Sequence, residues 1–304
     1  MSAKPLPPRM PHPASSRGAA LLLVLWLLLL MSGLVAMFAL TTRTEALQGS
    51  ALRVTVAGRH AAEAGIELAA YRMAASDPAA RWVPDGRTNT MTFEGWELEI
   101  AVLDEAGKFD LNVAEPAQLA RLMVELGLDQ ARADALAGAI QDWRDEDSLS
   151  ALQGGAEDRD YDAAGLPYGA KDLPFTTLSE LQQLLGMDLA TYRLLVPHVT
   201  VFTAAPAPEP AYASPPVLLA MGLAPDLVAS ILAARETWEP GLPPPLGADG
   251  VALAASGSGT YSVASRATRP DGLQVEITAT VRIGAGSGFG QLYAPLAWRA
   301  GEPD

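Results

Sequence analysis

The sequence predicts an α+β fold in which one long N-terminal helix packs on an antiparallel sheet and a large all-α domain is inserted into that sheet. Three observations predict it. Residues 19–40 carry no charge and run on, without a proline, through helix-forming sequence to residue 75. Segments that alternate apolar and polar residues occur at two separated places, 90–102 and 260–298. The stretch between them, from Gly107 to about Gly257, has helical periodicity instead.

The helix comes first. At about 1.5 Å per residue, the uncharged run 19–40 reaches roughly 33 Å, enough to cross a hydrocarbon core of roughly 30 Å. A cleaved secretory signal has a shorter apolar core of about 7–15 residues. Residues 1–18 hold Lys4, Arg9, Arg17 and five prolines but no acid, so they form no packed unit and keep that end cytoplasmic. The remainder then lies outside the inner membrane. Beyond the span, residues 41–75 are rich in Ala, Leu, Glu and Arg, with an apolar face at Ala62, Ile66, Ala69 and Ala70. Ser76-Asp77-Pro78 ends the helix. His60 has no partner at ligand spacing and reads as structural or exposed.

Strands are expected at 90–93 and 96–102 around the turn Glu94-Gly95, and again at 260–266, 273–283 and 291–298, with Pro270-Asp271-Gly272 as a turn. Between these groups, helices are expected at 116–126 and 129–143 around Gly127, at 177–185, at 189–195, and at 215–220 and 225–235 around Gly222. Residues 204–210 form a Pro-rich linker and 239–250 a second irregular segment.

Composition narrows the function classes. The 304-residue chain has a formal net charge of −14 and no cysteine. An acidic surface disfavours nucleic acid and anionic lipid and suits divalent cations or basic partners. Lack of cysteine removes disulfides, thiol catalysis and thiolate metal sites. Helix–Gly–helix units after Asn112-Val113-Ala114 resemble the helix-hairpin-helix (SAM-like) domain, which binds DNA phosphates. Phosphate binding needs basic support, yet 109–203 holds sixteen acids against six bases. The hairpins therefore read as packing units. Ser148, Ser150 and Ser179 lack the surroundings of a catalytic nucleophile, and no aromatic sugar platform accompanies the acidic pairs, so no enzyme is expected.

The densest chemistry lies in Asp142-Trp143-Arg144-Asp145-Glu146-Asp147 and Gly154-Gly155-Ala156-Glu157-Asp158-Arg159-Asp160-Tyr161-Asp162. Asp158, Asp160 and Asp162 have the alternate spacing of a calcium loop, although Ala163 and Gly169 stand where an EF-hand needs Gly and Glu. Asp142, Asp145, Asp147, Glu157, Asp158, Asp160 and Asp162 are the candidate ligands of one or two structural calcium ions; a solvated acidic loop is the alternative. Asp142 has two other roles open to it, pairing with Arg144 or capping a helix. Trp143 reads as a core anchor.

Several phrases carry a family resemblance. Arg17-Gly18 directly before the apolar run resembles the type IV prepilin leader, which implies cutting between Gly18 and Ala19 by a prepilin peptidase and methylation of the Ala19 amine. Most such subunits carry Glu at the fifth mature position, where this chain has Leu23. That departure, the opening Arg17-Gly18-Ala19-Ala20-Leu21-Leu22-Leu23-Val24-Leu25-Trp26, Arg43-Thr44-Glu45 and the Asp-Trp-Arg-Asp-x-Asp stretch resemble the K-type minor pseudopilin family of type II secretion. The resemblance implies a pilin-like fold and a place at the filament tip. It also implies I-type and J-type minor pseudopilins as partners, together with the inner-membrane secretion platform. The expected divisions are a leader at 1–18, a membrane helix at 19–40, pilin-like parts at 41–107 and 257–304, and the inserted helical domain at 108–256. The competing readings are a membrane-anchored periplasmic enzyme with an uncleaved anchor and a helix-hairpin-helix DNA-uptake protein.

Overall fold

In a computed structural model, the structure describes residues 17–301 apart from 153, 248–249, 255–256 and 285–290. Of the expected leader at 1–18, residues 1–16 lie outside the described residues, and Arg17 and Gly18 open α1. The chain divides into two compact units, residues 1–57 and 58–304. Helix α1 (Arg17–Ala74) begins in the first. Its apolar stretch is exposed throughout, and it is long and apolar enough to cross a membrane. The hydroxyls of Thr41 and Thr42 donate back to the carbonyls of Met37 and Phe38, at 2.7 and 2.5 Å, so they add no unpaired polar group to the helix surface.

In the second unit, five antiparallel strands form one sheet: β1 (Asp85–Phe93), β2 (Trp96–Asp104), β5 (Thr260–Thr268), β6 (Gln274–Ile283) and β7 (Tyr293–Gly301), in the order β1-β2-β5-β6-β7. Glu94 and Gly95, at φ 47° and 81°, close the first hairpin, the two positive values that a type I′ turn needs. Along β2, Trp96, Leu98, Ile100 and Val102 are buried while Glu97 and Glu99 face water. The buried row meets the face of α1 that the sequence marks, Ala62, Ile66, Ala69 and Ala70, all at 0% exposure. Two glycines permit this approach: a Cβ on Gly58 would sit 2.8 Å from the Trp96 ring, and one on Gly65 2.1 Å from Ser265 Oγ.

Strands β2 and β5 are paired neighbours, Leu98 opposite Ala267 and Val102 opposite Val263, although the helical segment separates them in sequence. That segment holds β3 (Phe109–Asp110), α2 (Pro116–Glu125), α3 (Gln130–Arg144), α4 (Asp158–Ala163), α5 (Leu189–Leu195), β4 (Val199–Thr200), α6 (Pro215–Ala220) and α7 (Pro225–Glu236). Two hairpins turn at Gly127 (φ 98°) and Gly222 (φ 89°), where left-handed backbone ends α2 and α6. Asp129 caps α3 through the Arg132 amide, 3.0 Å. Leu119, Leu122 and Met123 of α2 and Leu136 and Ile140 of α3 share one core.

Two local expectations are corrected. The predicted helix at 177–185 is a short 3₁₀ segment, Leu178–Gln183, whose entry is fixed by Glu180 accepting from the Thr176 and Thr177 amides at 3.0 Å. The alternate aspartates at 158–162 lie not on a loop but on α4, where Asp160 accepts from the Glu157 amide at 3.0 Å and so starts a helix.

Candidate metal centre

The last turn of α3 and the start of α4 face each other across the loop 146–156. Asp142, Asp145 and Glu157 bring carboxylate oxygens within 4.8 Å of one another. Asp142 is wholly buried and Glu157 is 4% exposed. Beneath them lies an aromatic layer: Trp143 stands 6.2 Å from Tyr161 and 6.3 Å from Phe175 between ring centres. Trp143 is thus the core anchor that the sequence suggests. Its indole donates to Glu180 Oε2, which also pairs with Lys171 at 2.8 Å. Burial works against the Glu180 charge, but the Lys171, Thr176 and Trp143 donors outweigh it and hold the carboxyl at about 2.

No comparable support reaches the three clustered acids. Arg144 donates instead to the carbonyls of Leu111 and Ala114, so the alternative of an Asp142–Arg144 pair is not the one the structure adopts. Asp142 instead accepts from the Ala151 amide, at 3.1 and 3.2 Å. Asp145 Oδ1 and Glu157 Oε1 are buried with no hydrogen-bond partner among the described residues, and so is Asp172 Oδ1. The acids therefore resist ionisation. Burial, together with the charges of Asp142, Asp172, Asp145 and Asp147, raises Glu157 to about 7. Burial also raises Asp142, against the Ala151 hydrogen bond and with the Asp145 charge; burial and the Asp147 charge raise Asp145.

Of the seven residues singled out by sequence, three converge. Asp147 is exposed, accepts from the Leu149 amide at 2.8 Å and contributes its charge. Asp158 and Asp162 are exposed on α4, and Asp160 is engaged in starting that helix. Asp172 is the residue that sequence reasoning missed. It sits in left-handed backbone at φ 52°, a conformation that Asp tolerates better than most residues, and no local spacing ties it to Glu157.

The converging carboxylates of Asp142, Asp145 and Glu157, with orphaned oxygens on Asp145, Glu157 and Asp172 and no ion-pair partner among the described residues, fit a hard divalent cation. Unpaired buried charge is costly, and calcium takes oxygen donors, carboxylates included. Gly155 closes the site: a Cβ there would lie 1.9 Å from Asp142 Oδ2 and 2.4 Å from the Ala151 nitrogen.

Comparison with known proteins agrees with the resemblance read from the sequence. Residues 98–204, which contain all four acids, match the family model described as type II secretion system (T2SS), protein K. Type II secretion system protein K of Klebsiella pneumoniae is 34% identical over 206 residues, which is 60% of this chain and 62% of that protein. Its namesake in Dickeya chrysanthemi is 40% identical over 81 residues, 27% of this chain and 22% of its own. The chain thus spans less than two thirds of the length of these curated relatives. In fold it is similar to a chain in the crystal structure of the GspK–GspI–GspJ complex from the enterotoxigenic Escherichia coli type 2 secretion system. The TM-score is 0.56 at 18% identity, and the match covers 86% of this chain and 100% of the other.

Proposed function

We propose that this chain, which carries a type II secretion system protein K domain at residues 98–204, is the minor pseudopilin at the tip of the secretion pseudopilus. There it initiates or caps the filament that exports proteins across the outer membrane. The observation that carries this reading is the family match running from β2 through the inserted helices α2 to α5. The split sheet supports it further: a body of helices leaves the sheet between the neighbouring strands β2 and β5, and such a bulk suits the end of a filament better than its shaft. The role is structural rather than catalytic.

In this reading α1 anchors the protein in the inner membrane by a single pass, with the N-terminus cytoplasmic and residues beyond the span periplasmic. Prepilin peptidase cuts between Gly18 and Ala19, and the Ala19 amine is methylated. The partners are the I-type and J-type minor pseudopilins and the inner-membrane secretion platform.

Calcium holds the inserted domain together at the cluster of Asp142, Asp145, Glu157 and Asp172. The ion supplies the positive charge that these buried carboxylates lack. With no cysteine in the chain, a bound ion is the available staple.

Co-purification tests the assignment. The full chain, tagged at its C-terminus and expressed with the I-type and J-type subunits of the same secretion system, is expected to pull down both, and its deletion is expected to stop secretion. Recovery of the tagged chain without either subunit contradicts the tip assignment.

A further inference from the structure

A pocket of about 200 Å³ lies where the end of β2, the start of β5 and the segments following α1 and α7 meet. Four aromatic rings line it: Trp82, Tyr212, Trp238 and Tyr261. Tyr212 and Trp238 stack at 5.9 Å and 28°, and the Trp238 indole is pinned by donating to the Leu242 carbonyl at 3.1 Å. Gly241 also lines the pocket. Gly241, at φ 82°, lies so close that a Cβ would meet the Ala79 backbone at 3.0 Å.

At the floor is Asp104, 1% exposed. It accepts from the Ala106 amide (2.8 Å) and from the Ser258 amide and hydroxyl (3.1 and 2.5 Å), all neutral donors. No cation pairs with it among the described residues. Burial, with the nearby Glu209 charge, raises its carboxyl to about 6 against the Ser258 and Ala106 bonds. The other charged or titratable groups facing it are Tyr212 from the segment before α6, Tyr261 on β5, Glu239 at the rim after α7, and Arg81 after α1. Arg81 is engaged with the Ala75 carbonyl at 2.6 Å. The balance is negative. A buried carboxylate with no ion-pair partner among the described residues, in a pocket lined by four aromatic rings, is an environment that recognises an organic cation by charge and by cation–π attraction.

We propose that this pocket receives an alkylammonium group, either that of a free amine or that of a lysine side chain presented by another protein. The aromatic faces hold its methylenes and the Asp104 carboxylate takes its charge.

The test is a tryptophan-fluorescence titration of the full chain in maltoside micelles with n-butylammonium, with n-butanol as the neutral match, and with a short lysine peptide. At pH 7.5 saturable binding by butylammonium is expected, with Kd on the order of millimolar, and none by butanol. At pH 5, about one unit below the Asp104 carboxyl, roughly tenfold weaker binding is expected. Asp104→Asn should remove saturation; should that variant not fold, Trp82→Leu on the outer wall should weaken binding about fivefold, and the pH comparison on the unaltered chain stands alone. A lysine peptide that binds tenfold tighter than butylammonium assigns a protein partner, and equal binding assigns a free amine. Equal responses to butanol and butylammonium, or binding that ignores pH between 5 and 7.5, overturn the proposal.

Discussion

Glu157 sits at the entry to α4 with Oε1 buried and unpaired, between Asp142, Asp145 and Asp172. The pH dependence of stability follows from that position. In the metal-free protein its carboxyl titrates near 7, whereas in the unfolded chain it titrates near 4.5. Between those values the folded state binds more protons than the unfolded state, so this group destabilises the metal-free protein as pH rises through that window. Calcium at the proposed site would require the ionised form and reverse the effect. The rise in Tm on adding millimolar calcium to the chelator-treated full chain should be larger at pH 7.5 than at pH 5.5. At a hundredfold excess over Kd the gain is about 2.7 kcal/mol. Identical melting with chelator and with calcium leaves only a solvated acidic cluster.

Gly155 gives a second test at this scale. An alanine there meets Asp142 Oδ2 and the Ala151 backbone, and the backbone cannot yield as a side-chain tip can. Gly155→Ala should lower Tm and remove the calcium-dependent increment together; an unchanged increment contradicts the placing of the site. Asp142, Asp145 and Glu157 were legible in the sequence because acids crowd the ends of one predicted helix and the loop after it. Asp172 was not, because its approach depends on a left-handed backbone turn and on how a distant loop closes.

Among the elements, α1 was the most legible. Its buried face follows from helical spacing alone, since small residues at 61, 62, 69 and 70 repeat on one side of Ile66. The closeness of helix and sheet is a tertiary property, carried by Gly58 and Gly65 two turns apart. Gly65→Ala should gain up to about 1 kcal/mol in helix propensity but lose about 1–3 kcal/mol to overpacking against Ser265 and Ile100. The expected result is a lower Tm measured on the full chain, and a raised Tm would show that the helix has room to shift. The strand alternation of β2, β5 and β6 was equally plain. The early start of β1 was not: Asp85 to Asn89 carry no apolar alternation, and the strand extends because it pairs back along β2 as far as Leu103. Element α4 was misread because aspartates at alternate positions suit both a calcium loop and a helix start, and the bond from the Glu157 amide to Asp160 selects the helix.

At the level of the whole chain, the split sheet could be anticipated because the alternating segments fall into two groups, 90–102 and 260–298, with helical sequence between them, and β2 does pair with β5. The small parallel pair β3–β4, Phe109 opposite Val199 and Asp110 opposite Thr200, could not. Two residues per strand carry no period, and the pairing rests on Asp110, whose Oδ2 accepts from the Thr203 and Ala204 amides at 3.0 and 2.8 Å. The pair ties the start of the insert to the segment that follows α5, and the chain then runs on through α6 and α7 before it re-enters the sheet at β5.

The central claim is that this chain is processed and assembled as a pseudopilin rather than held by an uncleaved anchor. Mass spectrometry of the N-terminal peptide, taken from native inner membranes, tests it most directly. The account predicts a chain that starts at Ala19 and carries one methyl group on its amine. An intact residue 1–18 leader, or a first residue beyond Leu40, would contradict it.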